Sequence, residues 1–190
     1  MSHTALHGSG KSSFDLVDHE LILSELGLAR GKAFLDLGCG WGDYTVVAAE
    51  KLGPEGVAYG VDGWREGIDM LTQKAIDKGL TNIKTIVADI TSYVPLPDSS
   101  VDISLMATVL HDFARDGGEK RALRETARVM KQGGILGIVE FKKIEGPPGP
   151  PKHIRLSFEE VSDMIAPYGF QPVKALDVGP FNYLVIATKT

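Results

Sequence analysis

The most informative stretch of this chain is residues 34–42, where the apolar run Phe-Leu-Asp-Leu ends in three glycines at alternate positions. An amphipathic segment follows at once, so the stretch predicts a strand, a tight turn and the start of a helix. Glycine adopts backbone angles that other residues resist and lets a ligand approach the main chain closely. Glycines between a strand and a helix therefore predict a cradle of backbone N–H groups for a ligand with a polar or charged part.

A second buried strand is predicted at residues 57–61, and Asp62 follows it directly. In doubly wound folds an acidic residue at this place binds the ribose hydroxyls of a nucleotide. Capping of the next predicted helix, residues 65–78, is the alternative role for Asp62. Nicotinamide and flavin enzymes share this layout of strand, glycine turn, helix, strand and acid, so the spacing leaves the ligand class open.

The glycine string itself separates these classes. A dinucleotide fingerprint is Gly-x-Gly-x-x-Gly, whereas here Gly42 comes one residue early and Asp43 occupies the sixth position. The string Leu-Asp-Leu-Gly-Cys-Gly-Trp-Gly instead resembles the first motif of class I S-adenosylmethionine-dependent methyltransferases. It is most similar to the small single-domain group that includes the quinone-biosynthesis-like enzymes, and the resemblance extends over residues 15–188.

The resemblance implies a cofactor and its contacts. In that family an acid after the second strand holds the ribose, an Asp and an apolar residue after the third strand bracket the adenine, and the end of the fourth strand faces the methionine moiety. Asp62, the pair Asp89-Ile90 and residues 106–108 stand at those places. The implied cofactor is S-adenosylmethionine, and the implied cofactor-binding residues are Asp36, Gly38, Cys39, Gly40, Asp62, Gly63, Trp64, Asp89, Ile90 and Ala107.

Three of these residues permit more than one interpretation. Asp36 lies inside a strand, where an isolated charge is costly, so we expect it to accept hydrogen bonds from glycine-loop amides or from the amino group of the ligand. Trp64 either stacks on the adenine or ribose or lies against the helix that follows. Cys39 has no histidine nearby in sequence, so we do not expect it to act as a nucleophile.

His111 is the predicted catalytic residue, because residues 109–113 follow the fourth strand at the edge where doubly wound sheets bind ligands. An imidazole near neutral pH can take a proton from a hydroxyl, thiol or amine of the methyl acceptor. The alternative is a structural histidine, either capped by Asp112 or packed over the cofactor. Asp112 and Glu140 are too few ligands for a metal site, and we predict none.

Composition bounds the class of protein. A chain of 190 residues that is 43% hydrophobic can bury one core, so we expect an N-terminal arm, residues 1–14, and a single methyltransferase domain over residues 15–190. The net charge of −5 argues against a nucleic-acid partner. One cysteine, no apolar run near the ~20 residues that span a bilayer, and no signal-peptide pattern predict a cytoplasmic enzyme without membrane association.

The pattern of alternating elements predicts an α/β fold, a doubly wound Rossmann-like sheet. The resemblance implies seven strands in the order 3-2-1-4-5-7-6. Residues 171–178 and 183–188 are joined by too few residues for a helical crossover, so we expect an antiparallel C-terminal hairpin. The other predicted strands are 33–37, 57–61, 83–87, 101–106 and 134–141, and the predicted helices are 42–52, 65–78, 117–131, 157–167 and an N-terminal helix capped by Ser13 or Asp15.

We therefore expect an S-adenosylmethionine-dependent methyltransferase that acts on a small molecule, with the acceptor atom (O, N, S or C) and the oligomeric state left open. The alternatives are a nicotinamide-dependent oxidoreductase and a non-catalytic S-adenosylmethionine-binding module. We also expect residues 1–14 and 142–156 to cover the acceptor site, with acceptor contacts from Phe14 and residues 153–155. A tail and a plain connector are the alternative for these two segments.

Overall fold

Short apolar segments assemble into one seven-stranded sheet in the computed structural model, which describes residues 12–190. The strands are β1 Ala33–Leu37, β2 Val57–Asp62, β3 Ile83–Val87, β4 Val101–Ala107, β5 Met130–Phe141, β6 Phe170–Asp177 and β7 Asn182–Lys189. Their order is β3-β2-β1-β4-β5-β7-β6, with β7 antiparallel to both of its neighbours and the other pairs parallel. The predicted fold, strand order and C-terminal hairpin are confirmed.

Helices cover both faces of this sheet. They are α1 His19–Glu25, α2 Asp43–Leu52, α3 Arg65–Asp77, α4 Leu110–Arg115, α5 Glu119–Val129 and α6 Phe158–Ile165, with 3₁₀ turns at Phe14–Leu16 and Ala166–Tyr168. Apolar residues of α1 and α2 pack in one layer, and those of α4, α5 and α6 in the other. Within the described residues no helix has the length and apolarity that a membrane crossing requires.

The side chains of the central strands alternate between the two layers. Leu35 of β1 and Met106 of β4 pack in the layer with α5 and α6, whereas Phe34 and Leu105 pack in the layer with α1 and α2. All five residues of β1 are buried. This burial explains why β1 reads as an almost continuous apolar run, and it leaves the ends of the strands as the accessible part of the sheet.

The N-terminal helix begins later than the sequence suggests. Its predicted caps, Ser13 and Asp15, are wrong, because α1 is capped by Asp18, whose carboxylate accepts the N–H three residues further on at 2.9 Å. The backbone N–H of Asp18 donates to the carbonyl of Val178 at 2.7 Å. This bond to a distant residue holds the chain before α1 in an extended conformation, so the helix cannot start earlier.

The boundary between α5 and β5 also differs from the prediction. The helix ends at Val129 rather than at residue 131, because Met130 is extended and pairs with Val101 of β4. β5 therefore starts before the predicted residue 134, and the register with β4 shifts within this part of the ladder. Gly133 has a φ of +73°, a conformation that allows such an irregularity inside a strand. The short helix α4 was not predicted.

Candidate functional site

The carboxyl ends of β1, β2, β3 and β4 meet at one edge of the sheet, because these strands are parallel. Gly38 and Cys39, after β1, donate their N–H groups to the carbonyl of Val61 in β2 at 2.8 and 3.2 Å. Ala88, after β3, donates to the carbonyl of Asp62 at 3.0 Å. The edge therefore brings together the predicted cofactor-binding residues that follow three separate strands.

The glycine loop between β1 and α2 is packed against other side chains at its two ends and has free space at its middle glycine. Gly38, Gly40 and Gly42 all have positive φ angles, of +74°, +52° and +77°. A Cβ on Gly38 would lie 2.8 Å from a methyl group of Val109, and a Cβ on Gly42 would collide with Leu71. A Cβ on Gly40 would meet nothing within 4 Å. The loop thus presents its backbone to open space at Gly40, as expected of a ligand cradle.

Asp62 joins this loop to the segment after β2. Its Oδ2 accepts the N–H of Gly40 at 2.9 Å, and its Oδ1 accepts the N–H of Trp64 at 2.8 Å. Each carboxylate oxygen has a second acceptor position, so both retain capacity for a ligand hydroxyl. The alternative role as a helix cap is wrong, because the N-cap of α3 is Trp64 and no side chain caps that helix. Gly63 lies between the two residues, within the same turn.

Asp36 is a buried carboxyl group just below the glycine loop. It is 1% exposed, and its Oδ2 accepts the hydroxyl of Thr45 in α2 at 2.6 Å, a partner that the sequence did not suggest. Burial raises the pKa of Asp36 to about 7; the Thr45 hydrogen bond opposes this shift and the charge of Asp62 adds to it. An acid with a pKa near neutrality beside a ligand cradle is typical of a functional site.

Trp64 packs against the protein itself. Its ring meets that of Trp41 edge-to-face, with centroids 4.4 Å apart and planes at 79°. A Cβ on Gly67 of α3 would lie 2.5 Å from the Trp64 ring and 2.6 Å from the carbonyl oxygen of Gly40. The Trp64 ring thus packs against the start of α3, next to the Asp62 carboxylate, and its stacking on a cofactor stays a prediction.

The segment after β3 carries Asp89 and Ile90. One oxygen of Asp89, Oδ1, accepts both the N–H and the hydroxyl of Thr91, at 2.9 and 2.7 Å. Asp89 is exposed, whereas Ile90 is buried in the layer of α5 and α6. The acid thus shapes a turn, and the apolar side chain next to it fixes that turn to the core.

Ala107 ends β4 at the same edge. Its carbonyl accepts the hydroxyl of Thr108 at 2.8 Å. Thr108 has a φ of +55°, a left-handed conformation that is strained for a β-branched residue. This turn leads the chain from β4 into α4, which carries His111.

Cys39 is 8% exposed, and burial raises the pKa of its thiol above the usual value. A protonated, buried thiol is a poor nucleophile. Its place in the site is therefore that of a small apolar residue in the loop, in agreement with the sequence-based expectation.

His111 and Glu140 form a buried pair. The two residues are 5% and 0% exposed, and Nδ1 of His111 lies 2.7 Å from Oε2 of Glu140. The other carboxylate oxygen accepts the backbone N–H of His111 at 3.1 Å. A carboxylate can only accept, so Nδ1 carries a proton and Nε2 is the basic nitrogen of the neutral ring. Asp112, the partner in the alternative structural interpretation, has a carboxylate oxygen 3.8 Å from Nε2, beyond hydrogen-bond distance.

The electrostatic environment makes His111 a stronger base. Burial lowers the pKa of His111, but the hydrogen bond and the charge of Glu140, helped by the charge of Asp112, outweigh this and raise the pKa above 6.5. The signal for Glu140 in the sequence was a single acid at the end of the apolar strand β5. Among residues 12–190 no group of three or more His, Cys, Asp or Glu side chains is arranged to hold a metal ion.

The first segment expected to cover the site is the N-terminal arm, residues 1–14. Residues 1–11 lie outside the described residues. Phe14 stacks on His19 with ring centroids 4.1 Å apart and meets Tyr44 of α2 edge-to-face at 5.0 Å. The hydroxyl of Ser13 lies 3.3 Å from that of Tyr44. Residues 13–19 therefore pack on the first turn of α2, next to the glycine loop.

The second segment, residues 142–156, contains a buried arginine. Arg155 was expected to contact the acceptor, but it is 1% exposed and donates to four backbone carbonyls of the segment itself. That expectation is wrong. An open cavity of about 710 Å³ is lined by residues 143–153 and by none of the predicted cofactor-binding residues, so it is separate from the glycine cradle.

Comparison with known proteins identifies the family. Residues 28–175 match the model of the methyltransferase domain family. A demethylmenaquinone methyltransferase of Geobacillus stearothermophilus is 33% identical over 119 residues, which are 63% of this chain and 49% of that protein. The chain thus spans about half the length of the curated relatives that it matches.

Two solved structures resemble nearly the whole chain. An S-adenosylmethionine-dependent methyltransferase from Aquifex aeolicus has a TM-score of 0.85 and 30% identity, covering 94% of this chain and 93% of that one. The [4+2]-cyclase SpnF has a TM-score of 0.76 and 21% identity, covering 90% and 79%. The second likeness concerns the fold alone, since one fold supports different reactions.

The raised pKa of Asp36 predicts a pH-dependent stability. Between pH 4 and 7 the folded protein keeps a proton that the unfolded chain releases, so the free energy of unfolding falls as pH rises through this range. Asp36→Asn keeps an acceptor for Thr45 but removes the charge. We expect it to stabilise the ligand-free protein at pH 8, by at most about 4 kcal/mol, and to lose this advantage near pH 4.

Urea denaturation of both proteins across this pH range measures the difference. Asp69→Asn is the matched control, because Asp69 is an exposed acid on α3. Its curve should follow that of the wild type. Parallel pH profiles for wild type and Asp36→Asn would contradict the prediction.

Proposed function

The chain belongs to the methyltransferase domain family, and we propose that it transfers the methyl group of S-adenosylmethionine to a small-molecule acceptor. The observation that carries the proposal is the Asp62 carboxylate, which holds the glycine loop through Gly40 and keeps acceptor capacity beside open space. The Aquifex methyltransferase, similar over 94% of this chain, supports the same cofactor. We propose that residues 15–190 form one domain that carries the activity.

The chemistry of the edge fits this cofactor. S-adenosylmethionine has two ribose hydroxyls, for which the Asp62 oxygens supply acceptors. Its amino acid part carries a negative carboxylate and a positive ammonium group. The N–H groups of the open glycine loop suit its carboxylate, and the buried Asp36 suits its ammonium group. The proposed contacts are thus Asp36, Gly38, Cys39, Gly40, Asp62, Gly63, Trp64, Asp89, Ile90 and Ala107.

His111 is the proposed catalytic base. S-adenosylmethionine, when bound, would supply a methyl group on a positively charged sulfur. The chain aligns the acceptor, excludes water, and provides Nε2 of His111 to receive the acceptor proton as the new bond forms. Glu140 holds the ring in the required tautomer and stabilises the imidazolium that results.

The relatives suggest an acceptor for the first assays. The Geobacillus protein is named for demethylmenaquinone, so we propose demethylmenaquinone as the first small molecule to test. The acceptor atom remains open among O, N, S and C. A cytoplasmic location and the absence of a nucleic-acid partner stay predictions from the sequence.

Binding tests the cofactor directly. S-adenosylhomocysteine should raise the melting temperature, because it binds only the native state. At a hundredfold excess over its Kd, the free energy of unfolding should rise by about 2.7 kcal/mol. Asp62→Ala removes the proposed ribose acceptor and the hydrogen-bond acceptor of the Gly40 and Trp64 N–H groups, so it should weaken binding by about 2 to 4 kcal/mol. Calorimetry measures both affinities, and the protein's two tryptophans, in contact beside Asp62, give a fluorescence signal.

Asp69→Ala is the control, since it removes an equal charge from an exposed site. A rise in melting temperature with NADH and none with S-adenosylhomocysteine would contradict the proposal and favour a nicotinamide-dependent oxidoreductase. Tight cofactor binding without methyl transfer to any acceptor would favour the non-catalytic module.

The His111–Glu140 pair predicts a defined pH dependence. His111→Gln should lower kcat by about 10² to 10⁴ while cofactor affinity is kept. The rate of the wild type should rise with pH through the raised pKa of His111, because only the neutral ring accepts a proton. Glu140→Gln removes the charge that raises this pKa, so the rise should move to lower pH and the plateau should fall.

Rates of tritiated methyl transfer between pH 5 and 9 measure these effects. If the two residues act as one unit, the double variant should be no slower than His111→Gln. Glu55→Gln, which alters an exposed acid, should leave the profile unchanged. A pH profile that Glu140→Gln does not move would argue against this base.

A further inference from the structure

Arg155 is a buried cation held by neutral groups. Its Nε donates to the carbonyl of Pro150 at 2.8 Å, and its Nη1 donates to that of Lys142 at 3.0 Å. Its Nη2 donates to the carbonyls of Gly146 and Pro148 at 2.6 and 2.8 Å. Within residues 12–190 Arg155 takes part in no ion pair. A buried charge is costly unless it is fully hydrogen-bonded, so this geometry ties the guanidinium to the four carbonyls.

The segment has few backbone donors for these carbonyls: among the described residues, only that of Lys142 also accepts a backbone N–H, from Ile144 at 2.7 Å. Residues 142–156 connect β5 to α6 without a strand or helix of their own. Four of the residues from 147 to 151 are prolines, which have no N–H to donate. Backbone carbonyls that are partly withdrawn from water need donors, and the planar guanidinium offers five N–H groups from a single side chain. Arg155 therefore gives the segment the hydrogen bonds that regular structure would otherwise give.

The segment fixed in this way packs on Phe141, whose ring in turn meets that of His111. The guanidinium of Arg155 lies over the ring of Phe141, 5.6 Å from its centroid, and that ring meets His111 edge-to-face at 6.1 Å. Gly149 packs on the same ring, since a Cβ there would lie 2.7 Å from it. At the other end, the Tyr183 hydroxyl donates to the carbonyl of Leu156 at 2.8 Å.

Tyr183 also ties this end of the segment to the pair, because it is the cross-strand neighbour of Glu140 in the β5–β7 ladder. Both ends of the segment are thus anchored within one residue of Glu140 along the sheet or across it. The segment is therefore held at the same place in the sheet as the His111–Glu140 pair.

We propose that Arg155 is a positioning residue that shapes residues 142–156 into a fixed wall of the acceptor site beside His111. The guanidinium binds the wall from inside and does not touch the acceptor. This inference rests on the proposed function for its acceptor site, whereas the fixing of the segment by Arg155 can be measured without activity.

Hydrogen exchange tests the fixing of the segment. Arg155→Lys keeps the charge but cannot reach four carbonyls in a fork. The amides that donate within the segment, those of residues 144, 154 and 155, should therefore exchange at least tenfold faster, while those of β1 and β2 are unchanged. Arg155→Ala should do the same, and millimolar ethylguanidinium should restore protection by occupying the vacated space. Arg30→Ala, which alters an exposed arginine, is the control.

Kinetics with demethylmenaquinone tests the role of the wall. Arg155→Lys should raise KM for this acceptor at least tenfold, with kcat within threefold, an unchanged pH midpoint and an unchanged Kd for S-adenosylhomocysteine. Gly149→Ala, which crowds Phe141 without touching the cation, should give the same pattern. If Arg155 had a purely structural role, its replacement would lower kcat and the affinity for the cofactor as well as the affinity for the acceptor.

Two results would overturn the inference: unchanged exchange of the amides of residues 144, 154 and 155 in Arg155→Lys, or faster exchange with an unchanged KM. The failure of wild-type protein to bind S-adenosylhomocysteine is a different outcome, because it would overturn the proposed function and leave the exchange result to stand alone.

Discussion

The structure depends on the parallel pairing of β1 with β2 and β4, which places the carboxyl ends of these strands at one edge. Parallel strands are covered on both faces, so their side chains are used for packing, and the turns at this edge remain for ligands. The loops at that edge then bind one another. The Gly38 N–H donates to Val61, and the Asp62 carboxylate accepts the Gly40 N–H. The cradle is thus held in shape by hydrogen bonds within the protein.

Three acids near this edge differ in their partners and hence in their chemistry. Asp62 is half-buried and accepts backbone N–H groups. Asp36 is buried with one hydroxyl partner, and desolvation raises its pKa to about 7. Glu140 is fully buried and bonded twice to His111. The same functional group therefore serves as a loop anchor, as a protonatable group and as the hydrogen-bond partner of a buried imidazole.

The acceptor side of the edge follows a different principle. Around Asp62 the backbone supplies donors to a side chain, whereas around Arg155 a side chain supplies donors to the backbone. A proline-rich connector gains a defined shape from one guanidinium instead of from a helix or strand. A connector of this kind lies outside the sheet, so a change in it need not disturb the strands.

The sequence by itself determined the sheet, its C-terminal hairpin and the position of the glycine turn and Asp62. These features are local, because periodicity, turn residues and linker length act within about a dozen residues. Tertiary structure alone decided that α1 starts after Asp18, which bonds to Val178, that Thr45 binds Asp36, and that Arg155 points inward. It also paired His111 with Glu140, 29 residues away, in place of the adjacent Asp112. The physical reason is that a buried polar side chain must form hydrogen bonds, and its partners are the groups that distant parts of the chain bring near it in the folded structure.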